Sequence, residues 1–213
     1  AWMAPSLYNM DAQAGAPPDD FAVKGQNWGF PTYNWKAMQE NDFTWWRQRF
    51  EQMSNYFDAF RIDHILGFFR IWSIPLHAVE GIMGKFDPAI PVHINEFFER
   101  NIAYEWHRYT KPYITDDILQ QLFADEADFV KENFLNGYEL KEAFNTQRKV
   151  ENYFAAKNDS DNKIKSGLFD LISNVILFEE ENSQGQKFHF RFGMEQTTSF
   201  LNLDAYAQQQ LKE

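Results

Sequence analysis

Cysteine is absent from the 213 residues, which excludes disulfides, thiolate metal ligands and a cysteine nucleophile. Basic residues are the minority: 20 Lys and Arg stand against 31 Asp and Glu, a formal net charge of −11. That balance argues against non-specific nucleic-acid binding and against an anionic membrane surface as partners. No apolar run approaches the roughly 18 residues of a membrane-spanning helix. The opening AWMAPSLYNM shows no basic segment leading into an apolar one, so no secretory pattern is visible. Together with the missing thiols this sets the expectation of a cytoplasmic protein. Glycine is also sparse, at 10 residues.

Aromatic residues are abundant instead, with 22 Phe, 9 Tyr and 7 Trp. All the tryptophans fall at or before Trp106, so the first half is aromatic and the second is acidic and helix-patterned. The chain opens on Ala1 and closes on AQQQLKE without a helix stop signal, and it is expected to be an internal piece of a longer protein.

Pro5, Pro17, Pro18 and Pro31, with Gly15, Gly25 and Gly29, make residues 1–34 read as a long irregular loop. Residues 35–57 read as one helix capped by Asn41 or Asp42. Its stripe of Phe43, Trp46, Phe50, Met53 and Phe57 is expected in the core. Two β-compatible runs follow, FDAFRIDH and GFFRIWSIP, suggesting a helix-then-strand unit. Residues 76–92 read as loop. Helices are expected over 94–109, from Thr115 to Phe123, from Asp125 to Leu135, from Thr146 to Lys157, over 161–173 and over 204–212. SNVILFEE and QKFHFRF, flanking NSQG, read as a hairpin.

Chemistry concentrates at Arg61-Ile62-Asp63-His64. On a strand, Arg61 and Asp63 share a face because side chains alternate. An arginine beside a carboxylate favours its anionic form, as a nucleophile requires. A plain ion pair at a strand end uses the same residues, and on these four alone that bland reading is the commoner one. The second feature is the stretch GAPPDDF…GQNWGFPTYNW, whose prolines and glycines fix the backbone around Trp28 and Trp35. Tryptophan faces suit sugar rings, and Gln26, Asn27 and Asp19 can bond hydroxyls; a stiffened loop plugging the core is the alternative. Gly25 and Gly29 match no phosphate-binding pattern. His93-x-x-Glu96 lacks a second histidine for a metal, and His77, His107 and His189 read as structural. Glu179-Glu180-Glu181 reads as a solvated acidic turn. Ser6, Ser54 and Ser73 lack a nucleophile-elbow context.

Taken in order, AGAPPDDF…GQNWGFPTYNW, an amphipathic helix and FDAFRIDHILGFFRIW resemble the 4-α-glucanotransferase family, the amylomaltases or disproportionating enzymes. The resemblance is strongest over residues 1–75. It implies a retaining transfer of α-1,4-glucan segments on a (β/α)8 barrel, with a maltooligosaccharide or α-glucan as partner and no cofactor. It further implies Asp63 as nucleophile, Arg61 holding that aspartate, His64 lining the donor site, Gln26 and Trp28 contacting the glucan, and Asp19 as a motif carboxylate. Residues 76–213 depart from the shorter amylomaltases, since no G-E-D-L-G segment with an acid/base glutamate follows. They resemble the insertion of the larger type, similar to the plant cytosolic disproportionating enzymes. The fold class expected is therefore α/β: a partial barrel segment over 1–75, then a mainly helical insertion with a short hairpin over 76–213. A non-catalytic carbohydrate-binding module and an α-glucan hydrolase remain as alternatives.

Overall fold

The computed structural model describes residues 3–157 and 162–213. A four-stranded sheet, ordered β2-β1-β3-β4, is built from β1 (Tyr8–Ala16), β2 (Gln26–Tyr33), β3 (Ile71–Pro75) and β4 (Lys85–Asp87). A second sheet, β5-β9-β8, joins β5 (Val92–His93) to the hairpin of β8 (Leu177–Glu179) and β9 (Lys187–Phe190). In the chain between β5 and β8, β6 (Leu135–Asn136) and β7 (Glu139–Leu140) pair around Gly137 as a separate two-stranded sheet. Every strand pair among the described residues is antiparallel.

The helices are α1 (Trp35–Glu40), α2 (Thr44–Ser54), α3 (Ile94–Glu99), α4 (Trp106–Thr110), α5 (Asp116–Phe123) and α6 (Ala127–Phe134). They continue with α7 (Gln147–Ala156), α8 (Lys163–Ser173), α9 (Thr198–Leu201) and α10 (Ala205–Lys212). No helix among the described residues is long and apolar enough to cross a membrane. The fold is thus mixed α and β, as expected at that coarse level.

Several local expectations fail for identifiable reasons. Residues 3–34 are not a loop but mostly the β1–β2 pair; residues 1 and 2 lie outside the described residues. Gly15 permits that pairing, because a Cβ there would stand 2.0 Å from the Gln26 carbonyl oxygen. Pro31 sits opposite Gln13 where the register shifts, a place that tolerates a residue without an N–H donor. The single helix over 35–57 is broken at Asp42 and Phe43, whose φ angles of 56° and 52° are left-handed. Asn34, rather than Asn41 or Asp42, caps the first piece by accepting from the Ala37 amide at 3.0 Å. Residues 57–64 are irregular, because no neighbouring strand among the described residues pairs with them. The loop over 76–92 contains β4, and 94–109 divides into α3 and α4 at Asn101, where φ is 53°. The remaining helices and the β8–β9 hairpin form where the pattern places them; residue 161, the expected start of α8, lies outside the described residues.

The larger core gathers Trp72 and Ile74 of β3, Ile82 and Met83, and the inner faces of α5 to α8, including Leu119, Val130, Phe154 and Leu168. A smaller one joins Phe97, Tyr109, Leu177, Phe188, Phe200 and Leu211. Both exclude α2, which has no buried residue. Phe43 and Phe57 are 40% and 63% exposed, so the α2 stripe is not core.

Candidate active site

What α2 lines instead is a cavity of about 420 Å³. Its walls come from β1 and β2 (Tyr8, Trp28, Phe30, Tyr33), from α1 and α2 (Trp35, Trp46, Arg49, Phe50, Met53) and from the segment Phe60–Phe68 with Ile71. The rings lean on one another: Trp35 stacks on Trp46 at 6.3 Å, Trp46 on Phe50 at 5.4 Å, and Trp28 on Phe30 at 5.8 Å. Arg49 lies over Trp45 and Trp46, its guanidinium carbon 5.2 and 5.8 Å from the ring centres. Burial and the neighbouring Tyr8 push the Tyr33 phenol above its ordinary value, against the opposing charge of Arg49. It therefore stays protonated at neutral pH and keeps a donor in the wall.

Asp63, Arg61 and His64 stand at this cavity together with Trp28. Arg61 Nη2 donates to Asp63 Oδ1 at 2.7 Å, with side chains 86% and 84% exposed. The same-side pairing expected from the spacing is present, but a bend holds it rather than a strand. His64 takes a left-handed conformation (φ 53°, ψ 51°) that starts the 3-10 turn Ile65–Phe68. Its ring meets Trp28 edge-on at 5.3 Å. Gly67 faces that ring, and a Cβ there would stand 3.0 Å from His64 Cδ2. Among the residues lining the cavity Asp63 is the one carboxylate.

Gln26 and Asp19 lie outside the lining. Gln26 acts one step back, its Oε1 accepting from Trp28 Nε1 at 3.1 Å. Asp19 is exposed and closes its own turn, Oδ1 accepting from the Phe21 and Ala22 amides at 2.9 and 2.6 Å. Tyr8, Tyr33, Trp46, Phe50 and Arg49 complete the cavity and were not singled out as site residues. Their signal was the aromatic richness of residues 28–60, which a core accounts for equally well.

Elsewhere, His93 and Glu96 form a capping box at the start of α3 rather than a metal pair. Glu179 accepts from Trp106 Nε1 at 3.1 Å and from the Gly185 amide at 2.8 Å. Glu180 receives both Lys85 and His189, the latter at 2.6 Å. The acidic run is therefore a bonded junction between β4, β8 and β9, not a merely solvated turn. No group of three His, Asp or Glu side chains among the described residues is arranged to hold a metal ion.

The Arg61-bonded Asp63 carboxylate and the stacked rings thus share one cavity. The family model described as 4-alpha-glucanotransferase, glycoside hydrolase 77, matches residues 1–196, and the chain belongs to that family. It is 41% identical to the rice (Oryza sativa subsp. japonica) protein 4-alpha-glucanotransferase DPE2, over 99% of this chain and 23% of that protein. It is 30% identical to the chloroplastic/amyloplastic 4-alpha-glucanotransferase of Solanum tuberosum, over 81% of this chain and 32% of that protein. The chain thus spans about a quarter to a third of the length of these relatives. An amylomaltase structure from Streptococcus agalactiae in complex with acarbose aligns with 80% of this chain and 42% of its own, at 24% identity and a TM-score of 0.39.

Proposed function

We propose that this chain supplies the nucleophile and part of the glucan site of a 4-α-glucanotransferase. In this reading residues 1–75 are a partial segment of a catalytic (β/α)8 barrel, and residues 76–213 are a mainly helical insertion. The observation that carries it is the placement of the Arg61-bonded Asp63 carboxylate at the aromatic cavity beside Trp28 and His64.

In the proposed reaction a maltooligosaccharide lies across the aromatic wall, its C–H faces against Trp28 and its hydroxyls toward His64. Asp63 Oδ attacks the anomeric carbon. The glycosidic C–O bond breaks, and its electron pair leaves on the oxygen of the departing glucan, which takes a proton from a carboxylic acid. The resulting glucosyl ester on Asp63 is then attacked by the hydroxyl of a second glucan, whose proton returns to that same carboxylate. Arg61 orients Asp63 before attack and receives it back afterwards. The acid and the nucleophile of a retaining pair stand roughly 5–5.5 Å apart. Asp63 has no carboxylate companion among the lining residues, so this reading assigns the acid to a part of the protein outside these residues.

The test is to incubate the full-length protein with maltotriose and separate the products. Glucose together with oligosaccharides longer than maltotriose is the expected result. Glucose and maltose alone would mean that water is the acceptor and would replace transfer by hydrolysis. The reading extends to a cytoplasmic location, checked by cell fractionation.

A further inference from the structure

One buried side chain of the helical half grips the segment that lies against the site hairpin. Gln147, the first residue of α7, is fully buried at 0% exposure. Its Oε1 accepts from the backbone amides of Val79 and Glu80, each at 2.9 Å, and its Nε2 donates to Glu80 Oε2 at 2.8 Å. The segment gripped in this way lies against β2. The Val79 carbonyl accepts from Asn27 Nδ2 at 3.1 Å, and the Ile82 amide donates to the Lys24 carbonyl at 2.7 Å. Gly81 lies so close to the strand that a Cβ on it would stand 2.5 Å from the Gln26 amide nitrogen. Gln26 in turn receives Trp28 Nε1, and Trp28 meets His64 at the cavity.

We propose that Gln147 is a positioning residue for glucan binding, which fixes residues 79–81 and through them the Gln26–Trp28 wall of the cavity. The inference rests on the proposed function and gives residues 76–213 a part in it. Glutamine is the side chain this place requires. One head group must accept two amides and donate to a carboxylate oxygen; a glutamate carboxylate has no N–H to donate, and leucine can neither accept nor donate. Arg148 reinforces the grip, its Nη2 donating to the Ala78 carbonyl at 3.0 Å.

The experiment is a donor–acceptor swap in the full-length protein. Maltotetraose affinity is measured by calorimetry in an Asp63→Asn background, where turnover does not interfere, and thermal midpoints are recorded alongside. Gln147→Glu sets two carboxylates face to face and is expected to weaken binding about 10-fold, since displaced positioning groups cost that much or more. Adding Glu80→Gln reverses donor and acceptor, and binding is expected to return. Arg148→Met, which buries no charge, is the second variant, with a smaller loss expected and a midpoint close to the parent. A lowered midpoint with unchanged affinity in Gln147→Glu overturns the inference. If that variant does not fold, unchanged affinity in Arg148→Met overturns it. Absence of maltotriose turnover by the wild type removes the transferase reading alone, because the affinity comparison still stands. Absence of maltotetraose binding by the Asp63→Asn parent removes both.

Discussion

Among the described residues Asp63 carries no side-chain bond other than that from Arg61, so changing its chemistry leaves the local fold nearly untouched. Asp63→Asn in the full-length protein is expected to cut transfer by on the order of 10³-fold or more while leaving maltooligosaccharide affinity within a few-fold, because an amide is nearly isosteric but a poor nucleophile. Near-normal turnover of that variant would show that another group attacks. Trp28 makes the complementary case. Trp28→Ala removes a ring that meets Phe30 and His64, and an aromatic contact worth about 0.5–1.5 kcal/mol predicts a roughly 2–10-fold rise in KM with kcat less affected. An unchanged KM would place the glucan elsewhere. At this scale the sequence was a good guide, because Arg61 and Asp63 lie two positions apart and their pairing needs nothing distant. Asp19 is less legible: its carboxylate closes its own turn, and an aspartate that does so looks in sequence like one that bonds a sugar.

Among the elements, α8 sets two effects against each other. Alanine in place of a helix-interior glycine ordinarily gains about 0.5–1 kcal/mol. At Gly167 the added Cβ would stand 2.3 Å from Cε1 of Phe123, whose ring is itself buried. Overpacking of that kind costs about 1–3 kcal/mol and outweighs the gain. Gly167→Ala is therefore expected to lower the thermal midpoint by about 2–4 °C, and a raised midpoint would mean that Phe123 can move aside. The junction of β4, β8 and β9 makes a pH prediction. Burial and then the charge of Lys85 hold the His189 imidazole below its ordinary value of 6.5, against Glu180. Burial pushes Glu180 up, but its bonds to Lys85 and His189 outweigh that and leave it below the usual carboxylate value. A neutral imidazole thus donates from Nε2 to an ionised carboxylate. The unfolded histidine takes up a proton more readily than the folded one, so this contribution is full above pH 6.5 and is lost as pH falls below it. Denaturation midpoints should fall between pH 7 and pH 5, and His189→Gln, which keeps a donor, should flatten that slope; an unaltered slope would refute the assignment. The helices from 115 onward were legible because threonine caps and apolar periodicity are local: Thr115 and Thr146 each accept from the third residue onward. The strand placed over 57–64 and the loop placed over 1–34 were not legible. Whether a β-compatible run becomes a strand depends on a partner, and Gly15 and Pro31 read as punctuation until the close approach of β1 and β2 is known.

Across the whole molecule, apolar surface is distributed unevenly. The cores under β3 and α5 to α8 are closed, whereas Tyr56, Phe57, Leu66 and Phe69 are 71%, 63%, 68% and 73% exposed on the segment that presents Asp63. Large exposed apolar side chains close together along the chain suit a surface that other protein covers. The reading as part of a larger catalytic barrel supplies the cover, and the coverage of only 23% of the rice relative is in keeping with it. Two consequences follow for the 213-residue chain expressed alone. The open patch should drive concentration-dependent self-association, seen as a mass above 25.3 kDa by light scattering and suppressed by Leu66→Lys. The chain should also fail to disproportionate maltotriose. Attack by Asp63 expels an alkoxide-like oxygen unless an acid protonates it, and general acid help of this kind is typically worth about 10²–10⁴-fold. Asp63 is the one carboxylate among the described residues lining the cavity, so no carboxylic acid is at hand there to give that proton, and water entering an uncovered site would intercept any glucosyl ester that formed. Incubating the purified chain with maltotriose and following products by chromatography decides the matter. Maltopentaose and glucose appearing in proportion to chain concentration would mean that a carboxylate within these residues moves to Asp63 and takes the acid's role, and the division of labour between this chain and the rest of a barrel would then have to be drawn elsewhere.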